Sequence, residues 1–212
     1  MNNLGVFNLI YVPLKFRVAG DATATMRKIA ESPMTYRSGI LCGLISGILF
    51  LVVASLLHDL FKDVDRKQAM LLVLFVCGAV AIGLANLIPQ FGVLVVSGNA
   101  EYLTVFSRPQ LDAAGLALMN LVSHGDILAM AFWGAWLFPF GALAMKSRFI
   151  PRVVGVLLIV AGAAYLTTSF ISILFPAQRQ LTFYLAIPFM AGEMVAVLWL
   201  LIKGAVIPPA EQ

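Results

Sequence analysis

Of the ten acidic residues in this 212-residue chain, Asp126 and Glu193 lie inside long apolar runs. An ionisable side chain near the centre of a bilayer costs about 2.5–3.5 kcal/mol on insertion scales, so each needs a reason to be there. Glu193 falls within a few residues of the middle of the 23-residue run from Gln180 to Ile202. Two roles suit it: a carboxyl that carries a proton or binds a ligand, and a structural carboxyl bonded to Tyr165, a Trp or an Asn of a neighbouring helix. Asp126 is placed less deeply, because Ile127 to Met145 is nearly long enough to cross without it, which leaves Asp126 at an interface. Asn120 and His124 stand four apart and share a helix face, whereas His124 and Asp126 stand two apart and point nearly opposite ways unless Gly125 breaks the helix. A carboxylate–histidine pair on one turn is therefore not expected.

The elements that must carry these residues follow from composition. Hydrophobic residues make up 61% of the chain and charged residues 11%, with a mean hydropathy of +0.97. Soluble domains run about 45–50% apolar and about 25% charged, so water is not the main solvent of this chain. Two cysteines exclude a disulfide scaffold, and 14 Lys and Arg spread without a basic block exclude a nucleic-acid partner. A crossing helix needs about 20 mostly apolar residues, and five segments meet that standard: Ser38–Leu57, Ala69–Ala100, Ala113–Met145, Val153–Gln178 and Gln180–Ile202. Met1 to Leu14 is too short to cross and contains Pro13, which predicts a partial or re-entrant helix within residues 1–19 rather than a signal peptide. Residues 20–35 predict an interfacial helix capped by Asp21, stopped by Pro33, with Met26, Ile29 and Ala30 on one face. Residues 36–206 then form the five-span bundle of a single membrane domain, 1–212.

Sidedness gathers the polar residues. Asn86 and Gln90 come toward the end of the second span and Asn120, His124 and Asp126 toward the start of the third, so they share one half of the bilayer. The fourth span rises to that face with Tyr165, Thr167, Thr168 and Ser169, and the fifth returns with Glu193 at mid-depth. The simplest arrangement is a polar pocket in one leaflet. Absolute orientation rests on Lys and Arg in the loops: Lys62, Arg66, Lys67, Lys146, Arg148, Arg152 and Lys203 on one side balance Lys15, Arg17, Arg27, Lys28, Arg37, Arg108 and Arg179 on the other, seven each. Two tight loops agreeing favour a cytoplasmic C-terminus.

Packing signals are also present. Gly39, Gly43 and Gly47 lie on one face of the first span, where backbones approach closely, either within the bundle or in contact with a copy of the chain or a larger membrane complex. Gly134 with Gly141, and Gly155 with Gly162, repeat at seven residues and read the same way. Cys42 and Cys77 inside spans behave as small apolar residues. Trp133, Trp136 and Trp199 suit interface anchors or ligand contacts. His58 belongs at the opposite face from His124, no Cys or His pair has metal-ligand spacing, and no nucleophile elbow, phosphate loop or dinucleotide fingerprint occurs. No cofactor or metal is implied, and the inventory leans away from an enzyme.

Phe132-Trp133-Gly134-Ala-Trp136-Leu-Phe-Pro139-Phe-Gly141, followed by Ser147-Arg148-Phe149-Ile150-Pro151-Arg152 and the stretch to Tyr165, resembles the signature of a bacterial membrane family catalogued as domain of unknown function 4386. Gly192-Glu193 with Leu198-Trp199-Leu-Leu-Ile-Lys203-Gly204 resembles its closing motif, and Gly20-Asp21-Ala-Thr-Ala-Thr its early extracytoplasmic stretch. The resemblance implies a bundle of about six helices in a bacterial inner membrane, with Glu193 at a motif position and no established activity, substrate or cofactor. The chain departs from that pattern at its start, where the family's first span is longer, which implies a truncated first helix or a late start. The expected protein is thus an all-α, polytopic transmembrane bundle of five full spans plus a partial N-terminal helix. It either binds or transports a small molecule, lipid or proton at the polar pocket, or serves as an accessory subunit packed through its glycine face.

Overall fold

The computed structural model describes residues 11–18, 20–147 and 149–203. Readings that fall on residues 1–10, on Arg148 and on Gly204 onward lie outside the described residues. Every regular element among those described is helical, so the chain is all-α. Five helical stretches are long and apolar enough to cross a membrane: Pro33–Phe61, Arg66–Ser97, Arg108–Lys146, Arg152–Leu174 and Pro176–Lys203, the first to fifth spans below. Most extend a few residues past the apolar runs into their flanking charges, because long basic side chains can cover apolar surface while keeping their heads in polar surroundings.

Two spans are interrupted at matching places. The second is helical over Arg66–Ala85 and Leu87–Ser97 with a break at Asn86, and the third over Arg108–Ala135 and Leu137–Lys146 with a break at Trp136. Each break precedes a proline by three residues, Pro89 and Pro139. A proline has no N–H to give to the carbonyl four residues back, and its ring crowds that carbonyl, so the ladder loosens one turn earlier.

The chain forms two compact units, one of residues 1–49 and 81–126 and one of residues 50–80 and 127–212. In the first, a short helix Val12–Phe16 leads into a turn and then the helix Ala22–Glu31. Asp21 caps that helix as expected, its Oδ1 accepting the Ala24 N–H at 2.8 Å. Gly20 takes a φ of +75°, the left-handed region open to glycine. Thr25, fully buried, locks the turn: its hydroxyl donates to the Asp21 carbonyl at 2.7 Å and accepts the Val18 N–H at 3.0 Å. The buried face is Thr25, Met26 and Ile29, while Ala30 is exposed. Met26 and Ile29 join Val12, Phe16, Tyr36, Ile40, Leu87, Val93 and Met119 in a core, so protein covers the face that an interfacial helix would turn to lipid. The helix ends at Glu31, with Ser32 non-helical before Pro33 as expected, and Pro33 is also the first residue of the next helix, where a missing N–H costs nothing.

In the second unit, close glycine contacts set the packing. A Cβ at Gly134 would lie 2.7 Å from the Gly162 carbonyl oxygen, and one at Gly141 would lie 2.7 Å from that of Gly155. The two seven-residue repeats therefore face each other on antiparallel helices. Trp136 is buried and stacks on Phe140 at 5.3 Å, and Phe50 presents its edge to Trp133 at 4.6 Å and to Trp136 at 5.5 Å. Trp133 and Trp136 thus pack with Phe50, and Trp136 also with Phe140. Cys42 is half-buried and Cys77 exposed, both free thiols within their spans. Lys146 donates to Asp65 Oδ2 at 2.6 Å, and the other carboxylate oxygen accepts the Gln68 N–H at 3.1 Å.

Two predictions follow from this packing. Gly141→Leu should lower the unfolding free energy by about 1–3 kcal/mol through overpacking. Gly83→Ala, whose Cβ would meet nothing within 4 Å, should leave it unchanged or raise it by up to about 1 kcal/mol. Thermal unfolding in detergent distinguishes these signs. The Lys146 hydrogen bond, with the Gln68 N–H, holds the Asp65 carboxyl below its ordinary range. Its stabilising effect is therefore fully present above the unfolded value of about 3.9 and is lost as pH falls through the lower folded value. In an acid titration of unfolding temperature, Asp65→Asn should flatten the decline below about pH 4.

Candidate functional site

In the first unit the polar residues gather along the third span in two sets. Asn86, at the break made by Pro89, is buried, and its Nδ2 donates to the Val122 carbonyl and to Asp126 Oδ1, both at 2.8 Å. Both partners are acceptors, which fixes the orientation of the amide. Val122, Gly125 and Asp126 follow one another at helical spacing, and Gly125 makes the contact possible, since a Cβ there would collide with the Asn86 amide.

One turn earlier, Arg17 reaches the same helix. Its Nη2 donates to Asn120 Oδ1 at 2.6 Å and its Nη1 to Ser123 Oγ at 3.1 Å. By charge and position alone Arg17 is one more flanking charge. The signal available was local: a helix that stops at Phe16 and a Gly20-Asp21 turn that brings the residue between them back to the bundle. His124 Nδ1 lies 2.7 Å from the Asn120 carbonyl oxygen, which can only accept, so Nδ1 is the donor, and the residue is exposed. His124 and Asp126 thus have different partners, as their spacing implies.

In the second unit, the Tyr165 hydroxyl donates to Glu193 Oε2 at 3.3 Å. Gly192 places this pair, since a Cβ there would collide with the Leu157 carbonyl. With the fourth and fifth spans that close and antiparallel, both side chains lean toward their own helix N-termini and so toward each other. The other hydroxyls divide: Thr168 bonds back to the Ala164 carbonyl at 2.8 Å, Ser169 donates to the Ile127 carbonyl at 2.8 Å, and Thr167 is exposed. Pro188, five residues before Glu193, leaves the Tyr184 carbonyl without its helical N–H. Its place inside an uninterrupted apolar run hides it in the sequence.

Gly39 is buried, and Gly43 and Gly47 are half-buried. Among the described residues no three His, Cys, Asp or Glu side chains cluster as metal ligands. What the geometry supplies is a pair of acid sites inside helices, each beside a glycine and each bonded by a neutral donor from another helix.

The class is therefore an all-helical protein with five helices fit to cross a membrane, as a multi-pass membrane protein requires. The chain belongs to the family described as Domain of unknown function (DUF4386), which matches residues 4–204. No curated protein and no solved structure matches it.

If Gly125 exists to admit the Asn86 amide, Gly125→Ala and Asn86→Ala should each cost about 1–3 kcal/mol, the range for a buried polar group deprived of a partner. The double variant should then be no less stable than the worse single one. Additive losses in denaturation of the purified protein would show that the two positions act separately.

Proposed function

We propose that this protein is a multi-pass protein of the bacterial cytoplasmic membrane that takes up a proton or a small polar ligand at Glu193. The observation that carries this reading is the contrast between the two acids. Asp126 is held at 2.8 Å by an amide that is itself buried and locked by the Val122 carbonyl. Glu193, near the middle of the helix Arg179–Lys203, receives from the described residues one phenol at 3.3 Å. An ionised carboxylate has about four lone-pair sites, so this arrangement leaves capacity for a proton or a ligand donor. The pierced ladder at Pro188 lies close by and gives the helix a place to bend.

In this reading Asn86, Asn120, His124 and Asp126 form a second polar group that shapes the protein and fixes the N-terminal segment through Arg17. The alternative, an accessory subunit assembled through Gly39, Gly43 and Gly47, has less support because Gly39 is buried within the chain itself.

The test uses proteoliposomes loaded with a pH-sensitive dye, with proton uptake driven by an imposed potassium diffusion potential. Wild-type protein should acidify the lumen faster than empty vesicles, Glu193→Gln should abolish the difference, and Tyr165→Phe should reduce it. A wild-type rate equal to that of empty vesicles, or full activity in Glu193→Gln, overturns the reading.

A further inference from the structure

A groove in the first unit is lined by none of the residues that make up the two acid sites. It is a cavity of about 330 Å³ lined by Arg37, Ile40, Leu41 and Leu44 of the first span and by Leu84, Leu87, Ile88 and Phe91 of the second. The lining positions on both helices step by three, one and three residues, so a single stripe of each antiparallel helix forms one wall. Seven residues of helix give a length of about 10 Å. Seven of the eight lining residues are apolar, and Leu41, Ile88 and Phe91 are more than half exposed. The exception is Arg37, one turn inside the helix that starts at Pro33, at one end of both stripes. It is exposed, and no described residue gives it an ion pair or a side-chain hydrogen bond.

We propose that this groove is a site for one acidic phospholipid, with an acyl chain along the leucine and isoleucine walls and the phosphodiester on the Arg37 guanidinium. The two chemistries are those of such a lipid, a cation at one end of an apolar wall. The planar guanidinium suits two phosphate oxygens at once. A groove about 10 Å long matches only about two turns of helix, too short to seat a partner helix along its length. Charge around its head favours an acidic lipid over a zwitterionic one: Lys15 and Lys28 line a second, smaller cavity with Phe16, Glu31 and Ser32 on the segment that leads into the first span. Arg27 stands on that same segment, its ion pair with Glu31 at 3.8 Å lying on the exposed surface. Basic segments next to a membrane draw acidic lipids in this way.

The experiment is lipid add-back to detergent-purified, delipidated full-length protein, read by native mass spectrometry and by unfolding temperature. Wild-type protein should retain one phosphatidylglycerol with about tenfold preference over phosphatidylcholine and gain thermal stability from it. Arg37→Gln should unfold at the wild-type temperature without lipid, yet lose that preference. Leu44→Trp, which fills the groove, should weaken binding of both lipids. Inorganic phosphate should not displace the bound lipid, because it has no chain for the groove. Equal binding of the two lipids by wild-type protein, unchanged preference in Arg37→Gln, unchanged binding in Leu44→Trp, or displacement by phosphate alone would each overturn the proposal.

Discussion

The structure depends on how closely its helices approach one another. Lipid chains are as apolar as leucine, so burying leucine against leucine gives spans no reason to associate; contact must come from tight packing and internal hydrogen bonds. Glycine supplies the first and thereby permits the second. Gly134 against Gly162 and Gly141 against Gly155 bring two backbones together. The same device recurs at each intramembrane acid, as Gly125-Asp126 and Gly192-Glu193. In both places the glycine removes the Cβ that would hold the neighbouring helix away, and the acid one residue later finds a donor on that helix. Packing and polar chemistry are one arrangement here.

Much of this was legible in the sequence because the bilayer imposes a simple rule: an apolar run of sufficient length must be a helix. The five spans, the Asp21 cap and the separation of His124 from Asp126 all follow from spacing and composition. The facing of the two glycine repeats needed only the antiparallel course of successive spans. Less legible was anything that depended on what another segment brings. Arg17 carries the same charge as the other basic residues near the N-terminus, and only the turn locked by Thr25 sends its guanidinium to Asn120 and Ser123. Met26 and Ile29 look like a lipid-facing stripe until Phe16, Tyr36 and Val93 cover them. Nothing in the spacing of Trp136 names Phe50 and Phe140 as the rings it packs against.

The proline breaks lie between these cases. Pro89 and Pro139 were visible, and their effect three residues earlier is ordinary stereochemistry. What periodicity alone does not disclose is that one break would hold a buried amide, Asn86, and the other a buried indole, Trp136. A loosened ladder tolerates a side chain that turns aside from the stripe, and in the first unit that side chain spans the gap to Asp126. Glu193, with its single phenol donor among the described residues and a proline five residues before it, occupies the less constrained counterpart.

The central claim is that a glycine beside each acid sets the acid's reach, and that the reach of Glu193 matters for what the protein does. Proton uptake by proteoliposomes carrying Gly192→Val tests it most directly, because Glu193 and Tyr165 are both intact in that protein. The account predicts that uptake falls to the level of empty vesicles while the protein still purifies as a single species. Uptake at the wild-type rate would contradict it.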